Sequence, residues 1–478
     1  MEKRNKTLAL KNFSTTNFKK LIHEIGEAVS GNEQDYTSIR LGKAIFLLSV
    51  PMVLEMVMES IFAVADIFFV SKLGAEAIAA VGITESLMTI IYALGFGLSM
   101  GTTALVSRRI GEKRPDQAAT VGFQAILIGI VISILIGIVG IFFSSDLLRL
   151  MGASRVIYTE MAVYTSIILG GNVVIMMLFI INAVFRSAGD AALSMRVLWL
   201  ANILNIILDP LLIFGWGPIP AMGIEGAAIA TTIGRGSAVI YQFYLLFKGH
   251  KRIQLTRKNL KFDFVVIRKL IKLSLGGIGQ NIIATASWIG LVRIIAEFGS
   301  VAMAGYTIAI RIVIFSLLPS WGIANAAATL VGQNLGAKKP GRAERSVWVT
   351  GRINIILLSS IGVIFALMPE FFIGTLTNDA AIIQSGAVAL QIVSIGFLAY
   401  GYGMVLVQSF NGAGDTLTPT WINLFCFWLL EIPLAYLLAL QLGFGEKGVY
   451  FAILFSESML TLIAFILFRR GKWKLKQV

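Results

Sequence analysis

The 478-residue chain holds one cysteine, two histidines and ten prolines, and only 14% of its residues are charged. A single cysteine, Cys426, excludes an intrachain disulfide and a thiolate metal centre. His23 and His250 lie in polar segments, so a histidine proton relay at membrane depth is excluded as well. No zinc, haem or iron–sulfur signature occurs, and no Walker A sequence, so ATP does not drive the chain directly. Soluble domains carry about 25% charged residues. The shortage here, set against 57% hydrophobic residues, excludes a soluble globular protein, a disordered chain and a fibrous repeat.

What is present is apolar sequence in twelve runs: roughly 44–71, 78–106, 117–144, 157–186, 191–215, 224–248, 266–297, 302–333, 343–368, 381–410, 417–443 and 447–469. A membrane span needs about 20 apolar residues, so twelve spans use nearly the whole apolar supply and leave no large soluble domain. The expected organisation is an N-terminal tail (1–43), a first lobe (44–250), a basic linker (251–265), a second lobe (266–470) and a C-terminal tail (471–478). No apolar h-region opens the chain, so no cleaved signal peptide is expected. In the tail, Phe18, Leu21, Ile22, Ile25 and Val29 have helical spacing beside Lys19 and Lys20. That spacing suits a surface helix on the membrane, and a solvated tail is the other reading.

The formal net charge of +14 has a topological reading. With a cytoplasmic N-terminus, Lys and Arg divide 33 inside to 4 outside, with Arg235, Arg293 and Arg311 within runs. The bias predicts both termini inside and contact with anionic lipid, not a nucleic-acid patch.

The chain also repeats. Leu48-Ser49 recurs as Leu273-Ser274, Gly74 as Gly299, ALVSRRIGEKRPDQA from Ala104 as TLVGQNLGAKKPGRA from Thr329, and FRSAGD from Phe185 as FNGAGD from Phe410. All four pairs share an offset of 225 residues. Six spans per half is an even number, so the halves share one orientation about an axis along the membrane normal. The expected fold is therefore an all-α polytopic membrane protein, twelve transmembrane helices in two six-helix lobes.

Acids inside the runs carry the chemistry, because a carboxylate at membrane depth costs about 3 kcal/mol and faces a cavity or a partner. They are Glu55, Glu59, Asp66, Glu85, Asp209, Glu431 and Glu457. The first run holds three of them, on one helix face, and the repeat places Gln280, Ala284 and Leu291 at their positions. Rise per residue puts Asp66, Tyr164, Asp209 and Thr231 at one depth, about 7–10 Å from the outer end, with Asn205 one turn below Asp209. Such an oxygen-rich group suits Na⁺, and buried carboxyls also take up protons; a network that merely ties helices together is the competing reading. Pro51, inside the first run, is a candidate kink or hinge. Glu431, ahead of Pro433, is a candidate for a second-half cavity.

These segments resemble the multidrug and toxic compound extrusion (MATE) transporters. The resemblance rests on Asp66 followed by FFVSKLG, GTTALVSRRIGEKRPDQA, NAVFRSAGD, NILNIILDP, LVGQNLGAKKPGRA and QSFNGAGD, and covers about residues 44–470. It implies two lobes around a central cavity, alternating access, and export of amphipathic, often cationic, compounds against H⁺ or Na⁺. Asp66, Asn205 and Asp209 match the family's first-lobe cation network, and Thr231 and Tyr164 its hydroxyl and phenol. Pro51 matches a bending proline, and Asn182 a polar position nearer the cytoplasmic end. The second-lobe acid used by one branch is missing from the seventh and tenth runs, which favours coupling through the first lobe in the manner of the DinF-like branch. Phe62 stands where the family has a tyrosine, and Glu55 and Glu59 are additional acids.

The expected activity is thus secondary drug antiport, without enzymatic chemistry, cofactor or metal beyond Na⁺ at Asp66, Asn205 and Asp209. The protein is expected as a monomer in the plasma (inner) membrane. The rivals are a lipid-linked oligosaccharide flippase, which wants a more cationic cavity, and a major-facilitator carrier, suggested by SRRIGEKR but lacking the acid earlier in that loop.

Overall fold

The computed structural model describes residues 22–31, 33–249 and 252–478. Phe18, Lys19, Lys20 and Leu21 of the proposed surface helix lie outside the described residues; a helix does cover 22–30, with Ile22 and Ile25 exposed and Ala28 buried. Among the described residues there is no β-sheet, and an isolated bridge joins Trp216 to Ile219.

Among the described residues twelve long helices follow, with the short helices Arg155–Glu160 and Pro369–Gly374 between them. In the first lobe they are α1 (Leu41–Ser71), α2 (Ala75–Gly111), α3 (Pro115–Leu150), α4 (Ala162–Ala188), α5 (Ala191–Phe214) and α6 (Gly223–Lys248). In the second they are α7 (Phe264–Ile295), α8 (Ser300–Gly336), α9 (Pro340–Leu367), α10 (Ala380–Ile395 and Phe397–Ala413, bent by 55°), α11 (Leu417–Gln441) and α12 (Glu446–Arg469). Among the described residues, ten of these have the length and apolarity of a membrane span, and the bent α10 makes an eleventh. α6 has the length, 26 residues, but carries Thr231, Thr232, Arg235 and Gln242, groups that need partners on other helices.

The 225-residue repeat extends to the backbone. α2 and α8 are both 37 residues and start and end in register. The fourth span of each lobe breaks at an equivalent glycine, Gly171 and Gly396. Each then ends on a left-handed glycine, Gly189 and Gly414, a conformation that costs glycine nothing. Even the non-glycine residues with positive φ correspond, Lys113 at 59° and Lys338 at 58°.

Within the first lobe α1 packs on α5, α5 on α6 and α2 on α4; within the second α8 and α9 pack on α10. The lobes exchange partners, α2 lying against α7 and α1 against α8. Their closest approach is at the end carrying the basic loops. A Cβ on Gly111 would fall 2.0 Å from the Gln333 carbonyl oxygen, and one on Gly336 2.1 Å from that of Arg108. Arg108 donates to the Ala413 carbonyl at 3.3 Å, and Gln333 to that of Ser187 at 2.8 Å. Gln333 is the repeat partner of Arg108, and Ser187 stands next to the repeat partner of Ala413, so the two contacts lie one residue apart about the pseudo-two-fold axis.

Both terminal segments pack at this end. Lys339 and Arg342 of the second lobe hold the carbonyls of Thr37, Tyr36 and Ile39, while Trp473 is buried and the Lys476 carbonyl accepts from Arg108 at 2.9 Å.

Candidate functional site

Asn205 and Asp209 stand one turn apart on α5 and face α6, each almost fully buried. With the Asn205 amide nitrogen turned to the carboxylate, it donates to Asp209 Oδ2 at 2.9 Å. Its oxygen then accepts from the Thr231 hydroxyl and backbone amide, both at 3.0 Å. One amide thus locks α5, α6 and the carboxylate together. Asp66 on α1 is partly buried and lies within electrostatic reach of Asp209 and of Arg235. Tyr164, buried in the first half of α4, interacts with both aspartates. The structure therefore brings together Asp66, Tyr164, Asn205, Asp209 and Thr231.

Glu59 adjoins this group and is already paired. It accepts from Asn202 Nδ2 at 3.1 Å and from Arg235 at 3.4 Å. Arg235 also sits over the Phe62 ring, 5.2 Å from its centroid. Glu85 of α2 completes the cluster: it lies within electrostatic reach of Arg235, Asp66 and Glu59, on the helix that also carries Tyr92. Sequence reasoning gave no role to Glu85, Arg235 or Asn202. A spacing signal for Arg235 did exist, since it lies four residues after Thr231 and so on the same face of α6. Four carboxylates against one guanidinium leave an excess of acid, the condition for attracting a cation. Among the described residues no three acids converge on one point. Na⁺ here would take its oxygens from carboxylate, amide and hydroxyl together.

Glu55 and Asn182 lie elsewhere. Glu55, 2% exposed, pairs with Arg186 at 2.7 Å, and Asn182 Nδ2 approaches the same oxygen at 3.5 Å. Gln242 donates to Asn182 Oδ1 at 2.7 Å. This second buried cluster ties α1, α4 and α6 nearer the basic loops, apart from Asp66 and Asp209. Pro51, one turn before Glu55, is enclosed in a continuous α1 and offers no N–H to the Leu47 carbonyl. Glu431 is in the second lobe on α11, buried, with the Ser456 hydroxyl reaching its carboxyl.

Comparison with known proteins agrees with this architecture. The MatE family model matches residues 51–211 and 278–437, one segment per lobe. A protein of Thermotoga maritima described as the probable multidrug resistance protein NorM is 25% identical over 91% of this chain and 94% of its own length. A Shewanella oneidensis protein described as an FAD transporter is 25% identical over 91% of this chain and 95% of its own. In fold, the chain is similar to the outward-facing structure of a multidrug resistance MATE family transporter of the MOP superfamily. The TM-score is 0.86 at 24% identity, covering 95% of this chain and 98% of that one. Two matched segments spanning both lobes, on a duplicated twelve-helix scaffold, place this chain in the MatE family of ion-coupled membrane transporters.

Proposed function

We propose that the protein exports amphipathic cationic small molecules from the cytoplasm through the plasma (inner) membrane, in exchange for H⁺ or Na⁺. Asp66 and Asp209 take the coupling ion, and Asn205, Thr231 and Tyr164 shape the oxygen shell around it. Glu59, restrained by Arg235, sets the charge beside that shell. Pro51, Glu55 and Asn182 govern how α1 bends as the ion binds and leaves. Both termini face the cytoplasm, the protein works as a monomer among membrane lipids, and no nucleic acid is involved.

The observation that carries this reading is Asn205, committed to Asp209 on one side and Thr231 on the other, with Asp66 within electrostatic reach of the same carboxylate. An ion that binds this arrangement in one lobe conformation and not in the other shifts the equilibrium by its difference in affinity. A cationic cargo competes for the same acids, which makes the exchange obligatory. An anionic cargo, such as the FAD named for one relative, meets four carboxylates and only one guanidinium. The flippase reading is disfavoured on the same ground, since Arg235 is engaged by Glu59 and not left free for a pyrophosphate.

The test is ethidium efflux from vesicles under an imposed pH gradient or Na⁺ gradient, for wild type, Asp66→Asn and Asp209→Asn. Each variant is expected to lose efflux by about tenfold or more, equal to 1.4 kcal/mol of coupling or more. Normal transport by both variants overturns the assignment, and the gradient that drives the wild type identifies the ion.

A further inference from the structure

We propose that Glu431 and Glu457 form a second-lobe carboxyl pair that binds a proton and sets the pH dependence of efflux. Glu431 on α11 is 2% exposed, and its Oε2 is sealed with no hydrogen-bond partner. Glu457, half-buried on the neighbouring α12, lies within electrostatic reach of Glu431 and of Tyr400 on α10.

Among the described residues no ion pair reaches either carboxyl. Tyr400 on α10, Tyr306 on α8 and Cys426 on α11 itself are the titratable groups that feel these acids. All three types are neutral at physiological pH. α7 packs on α11 through the Ile283 carbonyl and Gly290, and Arg293 near its end turns outward to Glu297 at 2.8 Å. Glu55 and Glu59 each have a guanidinium, whereas neither member of this pair does. An ionised carboxylate with an oxygen buried and unpartnered is costly. Protonation of Glu431 removes that cost, and the Glu457 carboxyl within electrostatic reach adds to it whenever both are ionised. Na⁺ needs several oxygens at once, whereas a single sealed oxygen suits a proton.

The repeat supplies a second, independent argument. Ser456, whose hydroxyl reaches Glu431, stands at the 225-residue equivalent of Thr231. Glu431 is one residue past the equivalent of Asn205, at the end of the π-helical stretch Leu424–Glu431. The wider turns of a π-helix re-aim side chains and are frequent at functional sites. Glu431 and Ser456 therefore lie, one residue out of register, where Asn205 and Thr231 lie in the first lobe, and Glu457 stands at the equivalent of Thr232.

The experiment uses the full-length protein in lipid vesicles. Infrared difference spectra are recorded across a pH titration, with and without Na⁺, alongside ethidium efflux. A protonated-carboxyl component beyond that of the first-lobe acids is expected in the wild type and lost from the double variant Glu431→Gln/Glu457→Gln. The efflux midpoint of Glu431→Gln is expected to move by about one pH unit. Should the Gln variants fail to fold, Tyr400→Phe removes a single hydroxyl and is expected to move the band's titration midpoint. An unchanged band in the double variant, or unmoved midpoints in Glu431→Gln and Tyr400→Phe, overturns the proposal. Loss of the wild-type band on adding Na⁺ also overturns it, in favour of a Na⁺ site. Asp66→Asn separates the two readings, since it is expected to lose efflux while keeping this band.

Discussion

Glu55 and Arg186 of the first lobe form an ion pair at 2.7 Å. At the repeat positions in the second lobe stand Gln280 and Asn411, an amide pair that exchanges hydrogen bonds at 3.0 and 3.2 Å. The same two helix positions meet in both lobes, once with full charges and once with neutral amides. The contact geometry belongs to the duplicated backbone, while the charge belongs to one copy. The pattern recurs further out, where Asp66, Glu59 and Arg235 correspond to Leu291, Ala284 and Leu460. Neutral amides close a buried helix junction without an ion's desolvation cost. Stability therefore does not require the first-lobe charges, and their retention points to ion handling.

The comparison can be broken most forcefully at Arg186. Arg186→Met leaves Glu55 buried without its counter-ion, at an expected cost of about 3–5 kcal/mol, read as a lowered thermal unfolding midpoint in detergent. Adding Glu55→Gln and placing Asn at 186 imports the second-lobe pair. That double variant is expected to return to within about 1 kcal/mol of wild type, the usual net worth of a neutral hydrogen bond. A double variant as unstable as Arg186→Met means the two lobes differ at this junction in more than charge.

The next largest effect tests the symmetry of the closed end. Gly111→Ala and Gly336→Ala each drive a methyl group into the other lobe's backbone, at 2.0 and 2.1 Å. Each is expected to cost about 1–3 kcal/mol by overpacking, with faster hydrogen exchange at residues 108–112 and 333–337. Matched responses sharpen the two-fold picture. A response confined to one variant shows that only one of the two contacts holds the lobes together.

Much of the scaffold is legible from sequence because a bilayer permits few solutions. Backbone groups in lipid must bond within their own helix, so twelve apolar runs become twelve helices. The duplication shows at Gly74, Gly189, Gly299 and Gly414, where positive φ demands glycine in both copies. Helical spacing relates Asn205 to Asp209, and Thr231 to Arg235, because those pairs share a helix. It carries no information on which helix lies opposite. Arg235 meets Glu59 across 176 residues of sequence, and Arg186 meets Glu55 across 131. With no partner legible for it, Glu55 reads as an additional acid in the sequence; the ion pair from Arg186 of α4 shows it as half of a pair.

The smallest expected effect concerns the segments that lead into each lobe. Tyr36, Thr37 and Ile39 are held by the cations Lys339 and Arg342, through backbone carbonyls at the start of α9. The linker ahead of α7 is held by amides instead: Asn259 donates to the Asp116 carbonyl at 3.0 Å, and Gln124 to that of Lys261 at 2.7 Å. Within the first segment, Asp35 accepts from the Thr37 amide at 3.0 Å and hydroxyl at 2.7 Å, shaping the turn that presents those carbonyls. Burial pushes the Asp35 carboxyl up, but the two Thr37 bonds and the nearby Arg252 outweigh it, so its pKa lies below the usual value. A lowered pKa in the folded state gives stability that is present above the unfolded value, about 3.9, and lost as pH falls through the folded one. Asp35→Ala is therefore expected to loosen residues 35–39 by about 0.5 kcal/mol near neutral pH, and to differ little from wild type in strong acid. Asn259→Ala, which removes a neutral anchor, should show no such convergence. Hydrogen exchange at Thr37 and Lys261 across pH 3 to 7 checks both, and parallel pH curves would mean that charge at Asp35 contributes nothing to holding its segment.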